Sequence, residues 1–284
     1  MTFKIGWFTT ARDEAASELF NAAHEAVEQG LIKGEISFVL SNREEKESTS
    51  SDSFFHVVRS SRIPLVCFSS HNFQSELRLA GVRDEAKLSE WRLRYDREII
   101  ARIEKYQPDL IVLAGYMLIV GGEICKRFNM INLHPALPGG LTGTWQEVIW
   151  QLIGEKQDKT GAMMHLVTEE LDKGPSITYY SFPIRGGQFD ELWEDLAAKL
   201  RNKTLPQIIQ EEGEENPLFA LIRAEGAKRE IPLILNTVAE FAKGKIRVEK
   251  GQVFAEGKVL KAGYCLNKEI DKYLKSNTRF RIHD

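Results

Sequence analysis

Short apolar, β-branched and aromatic runs alternate with longer helical segments through the first half of this chain, and that alternation constrains the fold more than any other feature. Five runs read as strands: KIGWF (4–8), EISFVL (35–40), PLVCF (64–68), DLIVLA (109–114) and MINL (130–133). The intervening stretches look helical. In DEAASELFNAAHEAVEQG the apolar Ala16, Leu19, Phe20, Ala23 and Val27 recur at helical spacing, and the pattern stops at Gly30. Strands separated by helices are joined as parallel crossovers. The expectation is an α/β protein, an open, mostly parallel, Rossmann-like sheet flanked by helices.

Beyond the loop PALPGG the pattern changes. WQEVIWQLI reads as a helix, and GAMMHLVTEEL and SITYYSFPI as two strands joined through LDKGP, a link short enough to allow only a hairpin-like return, which mixes the sheet's direction. Residues 187–227 are helical and charged, with EEGEENP at 211–217 read as a loop or an insertion. IPLILNTVAEFAKG reads as a helix stopped by Gly244, followed by KIRVEKGQVF turning at Lys250-Gly251. The expected organisation is an α/β core over 1–186, a helical insertion over 187–227, and a helix, hairpin and tail packed on the core over 228–284.

With 284 residues, 43% of them hydrophobic, the chain can bury a large core, which excludes disorder of the whole. Net charge is −3, yet Lys243 to Arg281 holds 11 Lys/Arg against four Asp/Glu, either a solvated rim or a contact for an anionic partner. Cys67, Cys125 and Cys265 are odd in number and form no CxxC, so neither a disulfide framework nor a zinc site is indicated. MTFKIGWFTT enters a strand directly and lacks a secretory signal's apolar core and cleavage site. LIVLAGYMLIVGG is too short to span a bilayer. A cytoplasmic protein without membrane or nucleic-acid partners is expected.

Ligands of open parallel sheets bind beyond the carboxyl ends of the strands. The polar groups at those exits are Thr9 to Arg12, Ser41 to Arg43, Ser69 to Asn72, Gly115 to Leu118, and Asn132 with His134. Asn132 offers a neutral amide to a developing oxyanion, His134 can exchange a proton near neutral pH, and Asp172 in EELDKGP can orient or charge that imidazole. Such a trio suits acyl transfer without a covalent intermediate. His165, on the run leading to Asp172, is either a second polar wall or a satisfied core histidine. A metal site from His134, His165 and Asp172 lacks the tight local ligand spacing of zinc hydrolases. No GxSxG elbow and no GxGxxG fingerprint occurs.

With LIVLAGYMLIV, MINLHPALPGG and HLVTEELDKGP in this order, the chain resembles the folate-dependent formyltransferases. RLRYDREIIARIEKYQPD resembles the helix before that family's catalytic strand, and IPLILNTVAEFAKGKIRVEKGQVF its final helix and hairpin, so the resemblance covers residues 1–184 and 228–257. It implies the formyltransferase fold and transfer of a formyl group from 10-formyltetrahydrofolate, a co-substrate, without a metal. The acceptor it implies is the primary amine of a small phosphorylated molecule, phosphoribosylglycinamide of purine biosynthesis, reacting through a tetrahedral intermediate. Asn132 and a protonated His134 would stabilise the oxyanion, while Asp172 keeps His134 cationic and relays a proton. Met117, Leu118, Ile119 and Val120, with the backbone of Glu169, Glu170, Leu171 and Asp172, match the family's pteridine pocket.

Two departures bear on the acceptor. The family's Gly/Ser/Asn-rich phosphate loop after the first strand is replaced by TTARDEAASEL, where Thr9, Thr10, Ala11 and Arg12 ahead of a helix N-terminus remain candidates to hold an anion. Arg92 matches a substrate-contacting arginine. The second departure is the length of 187–227. Competing readings are another amine (an amino sugar or aminoacyl-tRNA), hydrolysis of the formyl donor, and a silent folate- or nucleotide-binding homologue. Transfer to tRNA would call for a basic C-terminal barrel, and hydrolysis for an N-terminal regulatory domain.

Overall fold

The computed structural model describes residues 2–278, so Arg279 and Arg281 of the basic tail lie outside the described residues. Its elements, in chain order, are β1 Phe3–Thr9, α1 Glu14–Glu28, β2 Gly34–Ser41, α2 Thr49–Ser60, β3 Leu65–Cys67, α3 Ser75–Ala80, α4 Glu85–Ile103, β4 Leu110–Leu113, α5 Gly122–Arg127 and β5 Met130–His134. There follow α6 Trp145–Gly154, β6 Lys159–Leu166, β7 Ser176–Pro183, α7 Gln188–Lys199, α8 Leu205–Glu212, α9 Pro217–Ala242, β8 Ile246–Glu249, β9 Gln252–Ala255, β10 Lys258–Val259, β11 Tyr264–Cys265 and α10 Asn267–Thr278.

Eight strands form one sheet in the order β3-β2-β1-β4-β5-β6-β7-β11, and β8, β9 and β10 form a second. The pairs β1/β2, β1/β4, β2/β3, β4/β5 and β7/β11 are parallel. β7 returns against β6: Ile184 N donates to Asp158 O, while Gly161 lies against Tyr180 O further in. The sheet is therefore open and mostly parallel, as the alternating pattern predicts. The short strand β11 on its edge carries no recognisable pattern in sequence, because two residues are too few to establish one.

Two compact units make up the described residues: 2–132 with His165–Gly174 and Val238–Glu256, and Leu133–Met164 with Pro175–Thr237 and 257–278. In the first, β1 and β4 are covered on both faces and read as continuous apolar runs. Trp91, Tyr95, Ile99 and Ile103 lie on one face of α4, each four residues from the next, and pack with Phe8, Phe38, Leu113 and Met130. Tyr95 stacks between Phe68 (5.1 Å) and Trp91 (5.0 Å). Asp84 caps α4 by accepting from Ala86 N and Lys87 N. Lys250 and Gly251 both have positive φ, as a type I′ turn between β8 and β9 requires.

In the second unit, Thr144 and Glu147 form a capping box on α6, and Thr204 and Gln207 do the same on α8. α9 begins within the stretch read as a loop at 211–217. Asn216 Oδ1 accepts from Leu218 N and Phe219 N, and Pro217 occupies the first helical position, where its missing N–H costs nothing. The helix then runs through Pro232, so residue 227 falls inside a continuous helix rather than at a boundary. Asn267 Oδ1, just where α10 starts, accepts from Ser181 N of β7 at 2.8 Å.

Candidate active site

Strand order reverses at β1 and β4, since the chain continues from β1 to β2 on one side and from β4 to β5 on the other. Loops that leave such a point diverge and open a crevice. Two hydrogen bonds stitch its base together: Thr10 N donates to Gly115 O (3.1 Å), and Met117 N donates to Thr10 Oγ1 (2.8 Å). Ala11 adopts φ 51°, an uncommon left-handed conformation for a residue with a Cβ. It is held there by Ala11 N donating to Thr9 Oγ1 and by Ser51 Oγ donating to Ala11 O. Met117 and Leu118, which follow Gly115 on this loop, line two clefts and form the ridge they share.

The smaller cleft, about 200 Å³, is lined by Met117, Leu118, Ile119 and Val120 on one wall and by Asn132, His165, Val167, Leu171 and Asp172 on the other. It brings together most of the residues expected at the donor site. Its rim is apolar and open, with Met117 59% exposed, Ile119 41% and Leu171 60%. Asn132 comes to the cleft from β5, paired with Leu113 of β4. Asp172 is presented by a tight turn in which its own φ is 55°. Gly174 fixes that turn, because a Cβ there would stand 1.6 Å from Leu166 O.

Asp172 Oδ1 lies 3.5 Å from Nε2 of the buried His165, whose Nδ1 is 3.1 Å from Leu166 O. A carbonyl oxygen can only accept, so Nδ1 carries the proton and Nε2 is the nitrogen turned to the carboxylate. In the second unit, the buried His134 places Nε2 3.1 Å from Leu141 O. The same reasoning gives the neutral ring an Nε2 proton and leaves Nδ1 as its acceptor nitrogen.

The larger cleft, about 510 Å³, is lined by Thr10, Asn42, Arg43, Glu47, Ser70, His71, Asn72 and Arg78, with Met117 and Leu118 as the shared wall. The polar strand exits Ser41 to Arg43 and Ser69 to Asn72 announced part of this lining, whereas Arg78 on α3 and Glu47 gave no sequence signal. Of the residues expected to hold the acceptor, Thr10 lines this cleft and His165 the smaller one. Thr9 and Ala11 are buried and line neither cleft, Arg12 pairs with Asp13 at 3.5 Å, and Arg92 pairs with Glu85 at 3.4 Å. Glu169 and Glu170 do not line the smaller cleft; Glu169 lies over Gly122 and Glu170 pairs with Lys173 at 3.1 Å.

Among the described residues no group of three His, Cys, Asp or Glu side chains is placed to hold a metal, and no helix is long and apolar enough to cross a membrane.

A doubly wound sheet with an amide- and carboxylate-lined cleft at its switch point is the setting in which the family model described as Formyl transferase matches residues 14–209, more than half of the chain. The chain belongs to the formyl transferase family. Its similarity runs to particular members: it is 32% identical over 111 residues to the phosphoribosylglycinamide formyltransferase of Escherichia coli (strain K12), a stretch covering 38% of this chain and 50% of that protein. With the protein of the same name from Schizosaccharomyces pombe it shares 34% over 128 residues, covering 42% and 61%. The chain thus spans half to three fifths of these relatives' length. Among solved structures, the phosphoribosylglycinamide formyltransferase from Coxiella burnetii superposes with a TM-score of 0.61 at 22% identity, covering 93% of this chain and 99% of that one. A formyltetrahydrofolate deformylase from Pseudomonas putida KT2440 superposes with a TM-score of 0.51 at 17% identity, covering 90% and 70%. At these identities the superpositions speak for the fold.

Proposed function

We propose that the chain transfers a formyl group from 10-formyltetrahydrofolate to the primary amine of a small phosphorylated molecule, with phosphoribosylglycinamide as the first candidate. The observation that carries this reading is the smaller cleft. It joins an open apolar rim (Met117, Ile119, Leu171) to the polar end formed by Asn132, His165 and Asp172. Exposed apolar side chains grouped around a concave site suit a flat, partly apolar ring, and the polar end suits the reacting atoms.

When bound, the co-substrate supplies the formyl carbon. The Asn132 amide is the donor to the formyl oxygen as charge builds on it. His134 stands two residues along the same strand, so its side chain projects from the same side of β5, and its protonated ring is the second donor. Asp172 takes the proton lost by the attacking amine and returns it, through water, to the departing folate nitrogen. His165 stands behind Asp172 and, when both its ring nitrogens carry protons, holds that carboxylate through Nε2–H. In the balance, the amine gains a formyl group in place of one hydrogen, and that hydrogen ends on tetrahydrofolate.

A second reading is hydrolysis, with water as the acceptor, favoured by the altered β1 loop in which Arg12 is engaged by Asp13. The two are separated by mixing the protein with 10-formyltetrahydrofolate and a panel of amines while following tetrahydrofolate release. Release that depends on a phosphorylated amine is expected. Release independent of any amine would establish the hydrolase instead, and no release under any condition would overturn both.

A further inference from the structure

Resting on the transferase reading, we propose that the larger cleft holds the anionic, hydroxylated end of the acceptor, a sugar phosphate, and that Arg43 and Arg78 are its oxyanion ligands. This moves anion recognition from the loop after β1 to the exits of β2 and β3.

Cleft lining and charge pairing together mark out the two arginines: Arg62, Arg83 and Arg201 also lack a carboxylate within 4.0 Å among the described residues, but only Arg43 and Arg78 line this cleft. Most arginines of the chain have a carboxylate within 4.0 Å, but among the described residues neither Arg43 nor Arg78 has one. Both are instead positioned by neutral groups. Arg43 Nη1 donates to Ser51 Oγ (3.1 Å), and Ser51 is tied in turn to the left-handed Ala11. Arg78 Nη1 donates to His71 Nδ1 (2.7 Å), and its guanidinium lies 5.7 Å from the Trp91 ring centroid. Because a guanidinium only donates, His71 accepts through Nδ1 and turns an Nε2–H outward. Neutral positioning holds each fork without cancelling its charge, which suits a phosphate.

The rest of the lining suits hydroxyl groups. Asn42, 7% exposed, donates to Ser70 Oγ and keeps an Oδ1 with no hydrogen-bond partner among the described residues. Glu47, whose Oε1 accepts from Asn72, supplies a further acceptor for a hydroxyl. At about 510 Å³ the cleft lies in the usual range for small-ligand sites. Its wall of Met117 and Leu118 is also a wall of the smaller cleft, so a molecule seated here can extend its amine over the ridge toward Asn132.

The test is calorimetric titration of the full chain with ribose 5-phosphate, inorganic phosphate and ribose, beside steady-state formyl transfer to a phosphorylated amine. Ribose 5-phosphate should bind, ribose should not, and inorganic phosphate should compete. Arg43→Ala and Arg78→Ala should each weaken ribose 5-phosphate at least about tenfold, Arg→Lys should restore part of it, and Arg83→Ala, on the exposed surface, should change nothing; thermal melts confirm that each variant is folded. Unchanged binding in both alanine variants, binding of ribose as tight as its phosphate, or loss of binding in Arg12→Ala alone would overturn the proposal. The two readings fail separately. Phosphate binding that depends on Arg43 and Arg78 without formyl transfer would sink the transferase and keep the site, whereas transfer with a KM insensitive to both arginines would do the reverse.

Discussion

Asp172 Oδ1 stands 3.5 Å from Nε2 of His165, a buried imidazole whose other nitrogen faces the Leu166 carbonyl. The pair joins the end of β6 to the turn that carries the proposed proton relay. Asp172→Asn keeps the shape of the side chain and removes its basicity, so turnover should fall by about 100-fold or more with little change in folate affinity. His165→Ala removes only the support and should cost roughly a tenth as much. Steady-state kinetics with 10-formyltetrahydrofolate decide the matter, and full turnover in Asp172→Asn would remove that residue from the mechanism.

Asn132 and His134 share a face of β5 and a proposed task. Asn132→Ala should lower kcat by about 100-fold to 1,000-fold, the range for loss of one oxyanion donor, and His134→Ala by about 100-fold or more. The double variant should fall well short of the product of the two, because groups serving one oxyanion do not act independently. Multiplicative losses would indicate separate roles.

The smaller cleft's rim separates binding from stability. Leu171 is 60% exposed, so Leu171→Ala should leave the melting transition within about 0.5 kcal/mol of wild type. Folate affinity should nevertheless weaken about tenfold, equivalent to about 1.4 kcal/mol of lost apolar contact. Equal affinity in a fluorescence titration would place the ring elsewhere.

Asp96 is buried on α4, where its Oδ1 accepts from Gly121 N at 3.3 Å at the end of the donor-site loop. Burial raises its pKa from 3.8 to about 6. Between those values the unfolded chain releases a proton that the folded chain keeps, so this group's contribution to stability declines as pH rises toward 6 and is then lost, a cost of about 3 kcal/mol at neutral pH. Asp96→Asn preserves an acceptor for Gly121 and abolishes the ionisation. The melting temperature of the variant relative to wild type should therefore rise from pH 4 to pH 6 and stay level above; a pH-independent difference would refute the buried charge.

Gly174 is a steric requirement, not a flexible joint. A Cβ would meet Leu166 O at 1.6 Å, backbone against backbone, so Gly174→Ala should cost about 3 kcal/mol or more and distort the Asp172 turn. Gly139 has φ 69° and open space around its Cβ direction, and Gly139→Ala should cost about 1 kcal/mol. Comparable losses in urea unfolding would contradict the close approach.

How much of this was legible depends on the range of the interaction. Local periodicity determined the parallel strands β1 to β5, the helix ending at Gly30 and the β8–β9 turn, because each depends on residues a few positions apart. It also put Asn132 at the carboxyl end of a strand, with His134 two residues on. The start of α9 was written in Asn216-Pro217, but the acidic residues before it masked the cap. Only the tertiary structure decided that His165 backs Asp172, and that Arg43 and Arg78, 35 positions apart in the chain, line one cleft without a carboxylate for either. The two arginines come together across the loops that leave β2 and β3, where strand order sets proximity and one-dimensional spacing carries no trace of it.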